Sequence, residues 1–228
     1  MSATLPAVSD STTSRILDVA ERLVQTRGFN GFSYADIAEE VGITKASLHY
    51  HFATKAELGR TLIERYTESF TGALRTITER LPRAEERLRA YVKLYADVLA
   101  KQRMCLCGMV AAEYGTLPAP MQDAIRIFFE SNESWLAALI EQGSREGCVS
   151  VRVPPHEAAR MLVGALEGEM LIARAYGDPG RFASAAQLLL TRLLEGDSPG
   201  LAARGRRAGA RPARARKRSP RPPRARKN

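Results

Sequence analysis

Cysteine and histidine are both scarce in this sequence, and their scarcity argues against several classes of site. The chain has three cysteines, at positions 105, 107 and 148, and three histidines, at positions 49, 51 and 156. An odd and small number of cysteines implies no disulfide framework. The C-x-C pair at 105 and 107 lacks the further cysteine or nearby histidine that would complete a metal site. The sequence therefore predicts no metal site and no cofactor.

Long apolar runs and common catalytic motifs are also missing. No apolar stretch reaches membrane-spanning length, and residues 1–15 lack the charged start and apolar centre of a signal peptide. The H-E-x-x-H, P-loop and Gly-rich dinucleotide motifs do not occur. We therefore expect a cytoplasmic protein without a membrane partner, without catalytic residues and without enzymatic activity.

Acidic residues are absent from the last 25 positions. Residues 204–228 contain 12 Lys and Arg, so the other 203 residues carry a net charge of −3, although the whole chain carries +9. Arg, Ala, Pro and Gly dominate residues 196–228, which predicts a disordered basic tail. Its charge favours nonspecific contact with DNA phosphates. A solubilising tail and an extension without function are the alternatives.

Helical periodicity is abundant, with apolar residues three and four positions apart and no strand pattern between them. Residues 1–11 lack this periodicity and predict a flexible arm. The first helix is predicted over Thr12 to Arg27. A helix of about 25 residues starts at Lys55 and stops before Pro82. Later helices are predicted around Leu88–Leu99, Cys107–Tyr114, Met121–Ile140, Met161–Leu171 and Phe182–Leu194. The expected fold class is all-α.

The stretch Phe32–Phe52, FSYADIAEEVGITKASLHYHF, predicts two short helices joined by a tight turn. Ser33 and Asp36 have the spacing of an N-terminal capping box. Gly42 stands where a helix ends in a left-handed residue, and Thr44 is placed to cap the second helix. The stretch therefore has the local signals of a helix-turn-helix unit.

The second of these helices has one inward and one outward face. Leu48 and Phe52 are four residues apart and can both point inward. The outward face is short and polar, with a cation at Lys45 and aromatic rings at His49 and Tyr50. A helix of this kind fits the major groove of DNA, with its first residues at base edges and its neighbours on phosphates.

The segments ITKASLHYHFATKAELG and RGFNGFSYADIAEEVG resemble the signature of the TetR family of bacterial transcriptional regulators, over about Thr12 to Tyr66. The resemblance implies an N-terminal three-helix DNA-binding domain with a helix-turn-helix, residues 12–54. A larger helical domain for effector binding and dimerisation, residues 55–195, follows it. The residues expected at the DNA are Ser33, Tyr34, Thr44, Lys45, Ala46, Ser47, His49, Tyr50, His51 and Lys55.

Two of these positions need comment. Lys55 lies in the first turn of its helix, where the helix N-terminus and the cation both favour a phosphate. His49 stands where many family members have tyrosine. The resemblance therefore leaves open which of His49 and Tyr50 contacts the DNA backbone.

The middle helices predict an effector pocket. Candidate lining residues are Tyr91, Tyr95, Tyr114, Phe128, Trp135 and Glu167, each of which also fits an ordinary core. CLCGMVAAEYGTLP resembles a TetR subgroup in which a cysteine senses electrophiles or unsaturated acids. By that resemblance Cys105 matches the sensing position more closely than Cys107. Thiolates attack activated alkenes, and a helix N-terminus lowers a thiol pKa. The alternative is that both thiols are small buried apolar groups.

The last two helices predict a homodimer interface. Gly164 and Gly168 allow close helix approach, and Leu189, Leu190 and Leu193 supply apolar area. The resemblance implies a four-helix bundle formed by the last two helices of each subunit. A symmetric dimer places two second helices about one DNA turn apart on a palindrome. Completion of the monomer core is the alternative.

These features together favour a ligand-responsive repressor. Its partners would be a double-stranded DNA operator, a small-molecule effector and a second copy of the chain. Two other classes remain open: a protein that coats DNA without sequence preference through its basic tail, and an all-helical enzyme. Coating predicts a steep salt dependence and little discrimination between DNA sequences.

Overall fold

A computed structural model of the chain describes residues 12–195. The predicted arm, 1–11, and the predicted basic tail, 196–228, lie outside them. The described residues form nine α-helices and a short 3₁₀ turn, and no strand lies among them. The helices are α1 (Thr12–Arg27), α2 (Tyr34–Val41), α3 (Lys45–His51), α4 (Lys55–Arg80), α5 (Ala84–Ala100), α6 (Leu106–Ala111), α7 (Ala119–Glu146), α8 (Pro155–Ala175) and α9 (Pro179–Glu195). The predicted all-α class is confirmed.

Two predicted boundaries in the middle of the chain are wrong. The helix expected over Cys107–Tyr114 ends at Ala111 and is followed by the 3₁₀ turn Tyr114–Thr116. Hydrogen bonds three residues apart, such as Glu113 N to Val110 O, tighten the chain there. Pro120 was expected to precede α7 but lies in its first turn, where a missing N–H leaves no hydrogen bond unmade.

A buried polar network ties α5 to α7 at the centre of the larger helical region. The Tyr91 hydroxyl donates to Asn132 Oδ1 at 2.9 Å, and Asn132 Nδ2 donates to the Tyr95 hydroxyl at 3.2 Å. Tyr91 is fully buried, and Asn132 is one of two buried polar residues in the described part of the chain. Because each buried polar group here has a partner, the network fixes one register of α5 against α7.

Helix α1 and the loop that follows it pack directly against the later helices. Met104 N donates to Gln25 O at 3.1 Å, and Asn30 N donates to Glu113 Oε2 at 3.0 Å. Arg65 on α4 holds two carboxylates of α1, Asp18 at 2.8 Å and Glu21 at 2.9 Å. These contacts make α1 the element that joins the two regions.

None of the described helices is long and apolar enough to cross a membrane.

Candidate DNA-binding surface and interior cavity

The turn between α2 and α3 has the geometry that its sequence predicts. Ser33 accepts from Ala35 N, and Asp36 accepts from Ser33 N at 2.8 Å to complete a capping box. The Ser33 hydroxyl also donates to Asp36 Oδ2 at 2.6 Å, and this bond, together with the bond from Ser33 N, lowers the pKa of the Asp36 carboxyl. Gly42 ends α2 with φ +74°, a left-handed conformation that glycine adopts without steric cost. Thr44 Oγ1 accepts from Ser47 N at 3.1 Å and starts α3.

Helix α3, which we call the reader helix, is anchored on one side and open on the other. Leu48 is fully buried, and Phe52, just beyond the helix, is 4% exposed. Lys45 and Ala46 are exposed, Ser47 is partly exposed, and Tyr50 has 88% of its surface exposed. The exposed side is therefore a continuous face over the first turn and a half of the helix.

His49 and Tyr50 have different environments. His49 Nδ1 lies 3.2 Å from Ala53 O, and its ring lies 4.8 Å from the ring of Tyr34. Tyr50 contacts only the edge of His51 among its ring neighbours in the described residues. His49 therefore contacts the backbone just beyond the end of the reader helix, whereas the Tyr50 hydroxyl faces outward.

Several residues expected at the DNA also support the reader helix from beneath. The Tyr34 hydroxyl donates to Phe52 O at 3.0 Å, and partial burial raises its pKa to about 12. His51 Nδ1 lies 3.0 Å from Thr13 Oγ1 on α1. Arg15 on α1 donates to Val41 O at 2.6 Å. Ser33 and Thr44 are occupied as helix caps, so their roles in the described fold are structural.

Lys55 has a second role besides the predicted phosphate contact, because it is bound within the fold. Its ammonium donates to Phe29 O at 2.6 Å and to Phe32 O at 2.5 Å, and it lies 4.2 Å from the centre of the Phe32 ring. Partial burial lowers the pKa of Lys55. Two of its three donors are committed to the loop between α1 and α2. In the described fold Lys55 is therefore a cation that fixes this loop, and its contact with a DNA phosphate stays a prediction.

A cavity of about 220 Å³, partly open to solvent, lies between α1, α4, α5, the loop after α5 and α8, and we call it the interior cavity. Its walls include the rings of Tyr66, Phe70 and Tyr95, and its charged lining residues include Glu21, Lys101 and Arg103. Gln25 on α1 also lines it. Gln25 is 2% exposed, and within residues 12–195 its Oε1 has no hydrogen-bond partner.

The predicted effector residues are only partly brought together. Tyr95 and Cys105 line the cavity, as predicted. Phe128 is buried in the core against Tyr66 and Phe70, and Trp135 stacks on Tyr91. Tyr114 is 42% exposed in the 3₁₀ turn. Tyr91, Tyr114, Phe128 and Trp135 are therefore placed as core or surface residues rather than as cavity lining. The aromatic pattern alone could not separate these roles, because core and cavity walls share one helix face.

Sequence reasoning missed the contribution of α1 to the cavity. Glu21 and Gln25 are one helical turn apart and lie beside the predicted apolar stripe of α1. Polar residues next to such a stripe usually face solvent, so the sequence carries no local signal for burial. Packing of α1 against α4 and α6 buries Gln25 and leaves Glu21 partly exposed.

The environment of Cys105 opposes the predicted thiolate chemistry. Cys105 caps α6, yet burial raises the pKa of its thiol well above the ordinary value, and the Glu167 carboxyl raises it further. Burial also raises the pKa of the Cys107 thiol. The expected lowering of a thiol pKa by the helix N-terminus is therefore outweighed by burial. Both thiols are held as neutral groups in this structure.

Glu167 is partly exposed as a residue, but its carboxyl group lies inside the fold, and this burial raises its pKa to about 7. Its Oε1 has no hydrogen-bond partner among the described side chains and backbone. Arg174, later on the same helix, donates to Gln25 O at 3.3 Å and to Thr26 O. The guanidinium thus binds the C-terminal carbonyls of α1, where a cation is favoured by the helix dipole.

Helices α8 and α9 carry an exposed apolar surface. Met161, Leu171 and Ile172 on α8 are 68%, 49% and 44% exposed, and Leu188 on α9 is 59% exposed. Gly164 and Gly168 lie on the same side of α8 as Met161, and no described atom lies within 4 Å of where a Cβ would stand at either. Leu189 and Leu193 are partly buried, but Leu190 is 4% exposed within the subunit. Leu190 is therefore corrected to a core residue.

The fold and site define a helix-turn-helix protein with a larger helical domain, and comparisons with known proteins agree. The family model "Bacterial regulatory proteins, tetR family" matches residues 16–60. The model "Tetracyclin repressor-like, C-terminal domain" matches residues 84–189.

Solved structures and curated relatives point the same way. A TetR-family transcriptional regulator from Agrobacterium tumefaciens is 31% identical, with a TM-score of 0.78, over 81% of this chain and 98% of that chain. A TetR regulator from Legionella pneumophila is 28% identical, with a TM-score of 0.73, over 84% and 100%. The regulator LmrA of Bacillus subtilis is 26% identical over 166 residues, 69% of this chain and 84% of LmrA. The chain belongs to the TetR family of transcriptional regulators.

Proposed function

We propose that this regulator is a repressor that binds a palindromic operator as a homodimer and releases it when a small molecule binds. The observation that carries this proposal is the exposed face of the reader helix. Lys45, Ala46, Ser47 and Tyr50 project from a short helix whose other face is fixed by Leu48 and Phe52. A rigid helix with a free polar face is suited to insertion into a major groove.

The exposed apolar surface of α8 and α9 supports a dimer. Met161, Gly164 and Gly168 follow the three- and four-residue spacing of one helix face, and Leu171 continues it. The glycines leave a shallow groove into which a helix of a second copy can pack. Contiguous apolar surface of this kind marks an interface on a monomer.

Two helices offer routes from the interior to the reader helix. Helix α4 begins beside the reader helix at Lys55 and runs for 26 residues, about 39 Å, along the cavity. Helix α1 contacts both the reader helix and the cavity. A ligand shifts the reader separation only if it binds the two states of the protein with different affinity.

The test is binding of the full-length protein to the DNA upstream of its own gene, compared with scrambled DNA across a salt series. A repressor should prefer the operator by about 10³-fold or more. Tyr50→Ala should lose about tenfold or more of that affinity, whereas Lys45→Ala should also lower the salt slope by about one. Lys93→Ala, which removes an exposed lysine of α5, is the matched control.

The same experiment addresses the alternative of nonspecific coating. That alternative depends on the basic segment 204–228, which lies outside the described residues. Equal affinity for operator and scrambled DNA, with a steep salt slope and no effect of Tyr50→Ala, would favour coating over the repressor.

A further inference from the structure

The interior cavity is shared between the DNA-binding helices and the larger helical region. Gln25 and Glu21 come from α1, whereas Tyr66 and Phe70 come from α4 and Tyr95 from α5. A molecule in the cavity therefore touches the DNA-binding domain directly. The effect of that molecule on the DNA-binding helices does not have to pass through α4 alone.

The polar groups of the cavity restrict what it can hold. Gln25 Oε1 is buried without a partner among residues 12–195, and an unmet buried acceptor of this kind favours a ligand that donates a hydrogen bond to it. Lys101 and Arg103 are also present, while Glu21 is already paired with Arg65 at 2.9 Å. The positive charges of Lys101 and Arg103 disfavour a cationic donor such as an ammonium group.

The shape and walls of the cavity favour an aromatic ligand. Its volume of about 220 Å³ is small, and the rings of Tyr66, Phe70 and Tyr95 supply faces and edges for aromatic contact. We propose that this cavity binds a neutral hydroxyl-bearing aromatic molecule of the phenol or naphthol class, which donates to Gln25 Oε1 and acts on the reader helix through α1. This inference rests on the proposed ligand response and names its chemistry and route.

Helix α1 provides a rigid connection for that route. Gln25 directly follows Val24 on the face that packs α1 into the core. Thr13 lies 12 residues before Gln25, about 18 Å away along the helix. At that far end Thr13 Oγ1 meets His51 of the reader helix, and Arg15 holds the end of α2. A displacement at Gln25 therefore reaches both helices of the DNA-binding unit through one element.

Binding can be tested without DNA. The probes are 2-naphthol and 2-methoxynaphthalene, which have the same ring system but differ in the O–H donor. The wild-type full-length protein should bind 2-naphthol about tenfold more tightly in a fluorescence titration. Gln25→Leu should abolish that preference, whereas Gln142→Leu, a change of the same type on α7, should keep it. Preference that survives Gln25→Leu would overturn the proposed contact.

A second variant tests the site independently, in case Gln25→Leu fails to fold. Ala73 lines the cavity, so Ala73→Phe should occlude it and weaken both probes together while the helical circular-dichroism signal is retained. Unchanged binding of both probes to Ala73→Phe would place them elsewhere and overturn the site. Absence of 2-naphthol binding to the wild type up to about 1 mM would overturn the ligand class.

Coupling to DNA is tested by linkage. Operator affinity should fall at least about fivefold at saturating 2-naphthol, and 2-naphthol should bind the protein–DNA complex more weakly by the same factor. Thr13→Val should preserve 2-naphthol binding but reduce this factor. If 2-naphthol binds but leaves operator affinity unchanged, the α1 route is wrong. Operator binding without ligand is measured separately, so loss of this proposal is distinguishable from loss of the proposed DNA-binding function.

Discussion

Thr13 Oγ1 at the start of α1 lies 3.0 Å from His51 Nδ1 at the end of the reader helix. The residues are 38 positions apart in the sequence, so this contact exists only because α1 folds across the helix-turn-helix unit. Arg15 adds a second bond from α1, to Val41 O. The orientation of the reader helix is therefore set by α1 as well as by its own turn.

Thr13→Val should loosen the reader helix while it keeps the shape of the side chain. We expect the free energy of unfolding to fall by about 1 kcal/mol, because one hydrogen bond is lost, and operator affinity to fall as well. Urea unfolding and fluorescence anisotropy measure the two effects. Thr76→Val is the control, since Thr76 bonds only to Gly72 O of its own helix. Equal effects of both variants on operator affinity would contradict the role assigned to Thr13.

Lys55→Met should act on stability more than on DNA contacts. It removes two charge-assisted hydrogen bonds to Phe29 O and Phe32 O, so we expect the free energy of unfolding to fall by about 2–3 kcal/mol. The salt slope of operator binding should stay unchanged if no phosphate contact is lost. Unchanged stability together with a salt slope lower by about one would support the predicted phosphate contact over the loop role. Lys93→Met provides the exposed control.

Glu167 should make stability depend on pH. Burial raises its pKa from 4.5 to about 7 in the folded protein, so the folded state binds more protons than the unfolded state between these values. Its contribution to stability therefore declines as pH rises from about 4.5 to about 7, by about 3 kcal/mol in total. Glu167→Gln should remove that decline. The measurement is denaturant unfolding of both proteins at pH 5 and pH 8, and parallel pH profiles would contradict the assignment.

The three thiols should differ in reactivity. Burial raises the pKa of all three thiols, but Cys105 and Cys107 are buried, with the pKa raised well above its ordinary value, whereas Cys148 after α7 is only partly buried. At neutral pH N-ethylmaleimide should modify Cys148 first, and the other two only after unfolding. Mass spectrometry of digested protein identifies the modified residue, and Cys148→Ser should take up almost no reagent. Rapid modification of Cys105 in the native protein would revive electrophile sensing at that position.

The apolar surface of α8 and α9 should control the oligomeric state. Met161→Glu and Leu188→Glu place a charge on exposed apolar positions, so each should shift a dimer towards monomer in sedimentation measurements. Ile127→Glu is the matched control, because Ile127 is 59% exposed on α7 and lies beside Glu64 and Thr67 of α4. A dimer that resists the first two substitutions would exclude this surface as the interface.

The helices and their ends were largely predictable from the sequence, whereas the contacts of buried side chains were not. Ser33, Gly42 and Thr44 mark the ends of α2 and α3 by their own chemistry, and the structure confirms each of them. The exposed side chains of the reader helix follow from its periodicity once Leu48 is placed inside. The environments of His49 and Lys55 did not follow, because their partners, Ala53 O, Phe29 O and Phe32 O, are backbone atoms that every sequence contains.

What the sequence alone determined is the set of helices, their caps, the helix-turn-helix unit and the family. These depend on neighbours within four residues, where spacing and capping chemistry act directly. Only the tertiary structure decided that Gln25 lines a cavity, that Leu190 is core while Met161 is surface, and that Cys105 is a buried neutral thiol. Burial depends on which helix covers a residue, and the covering helix can be far away in the sequence. The helices that contact α1 are an example.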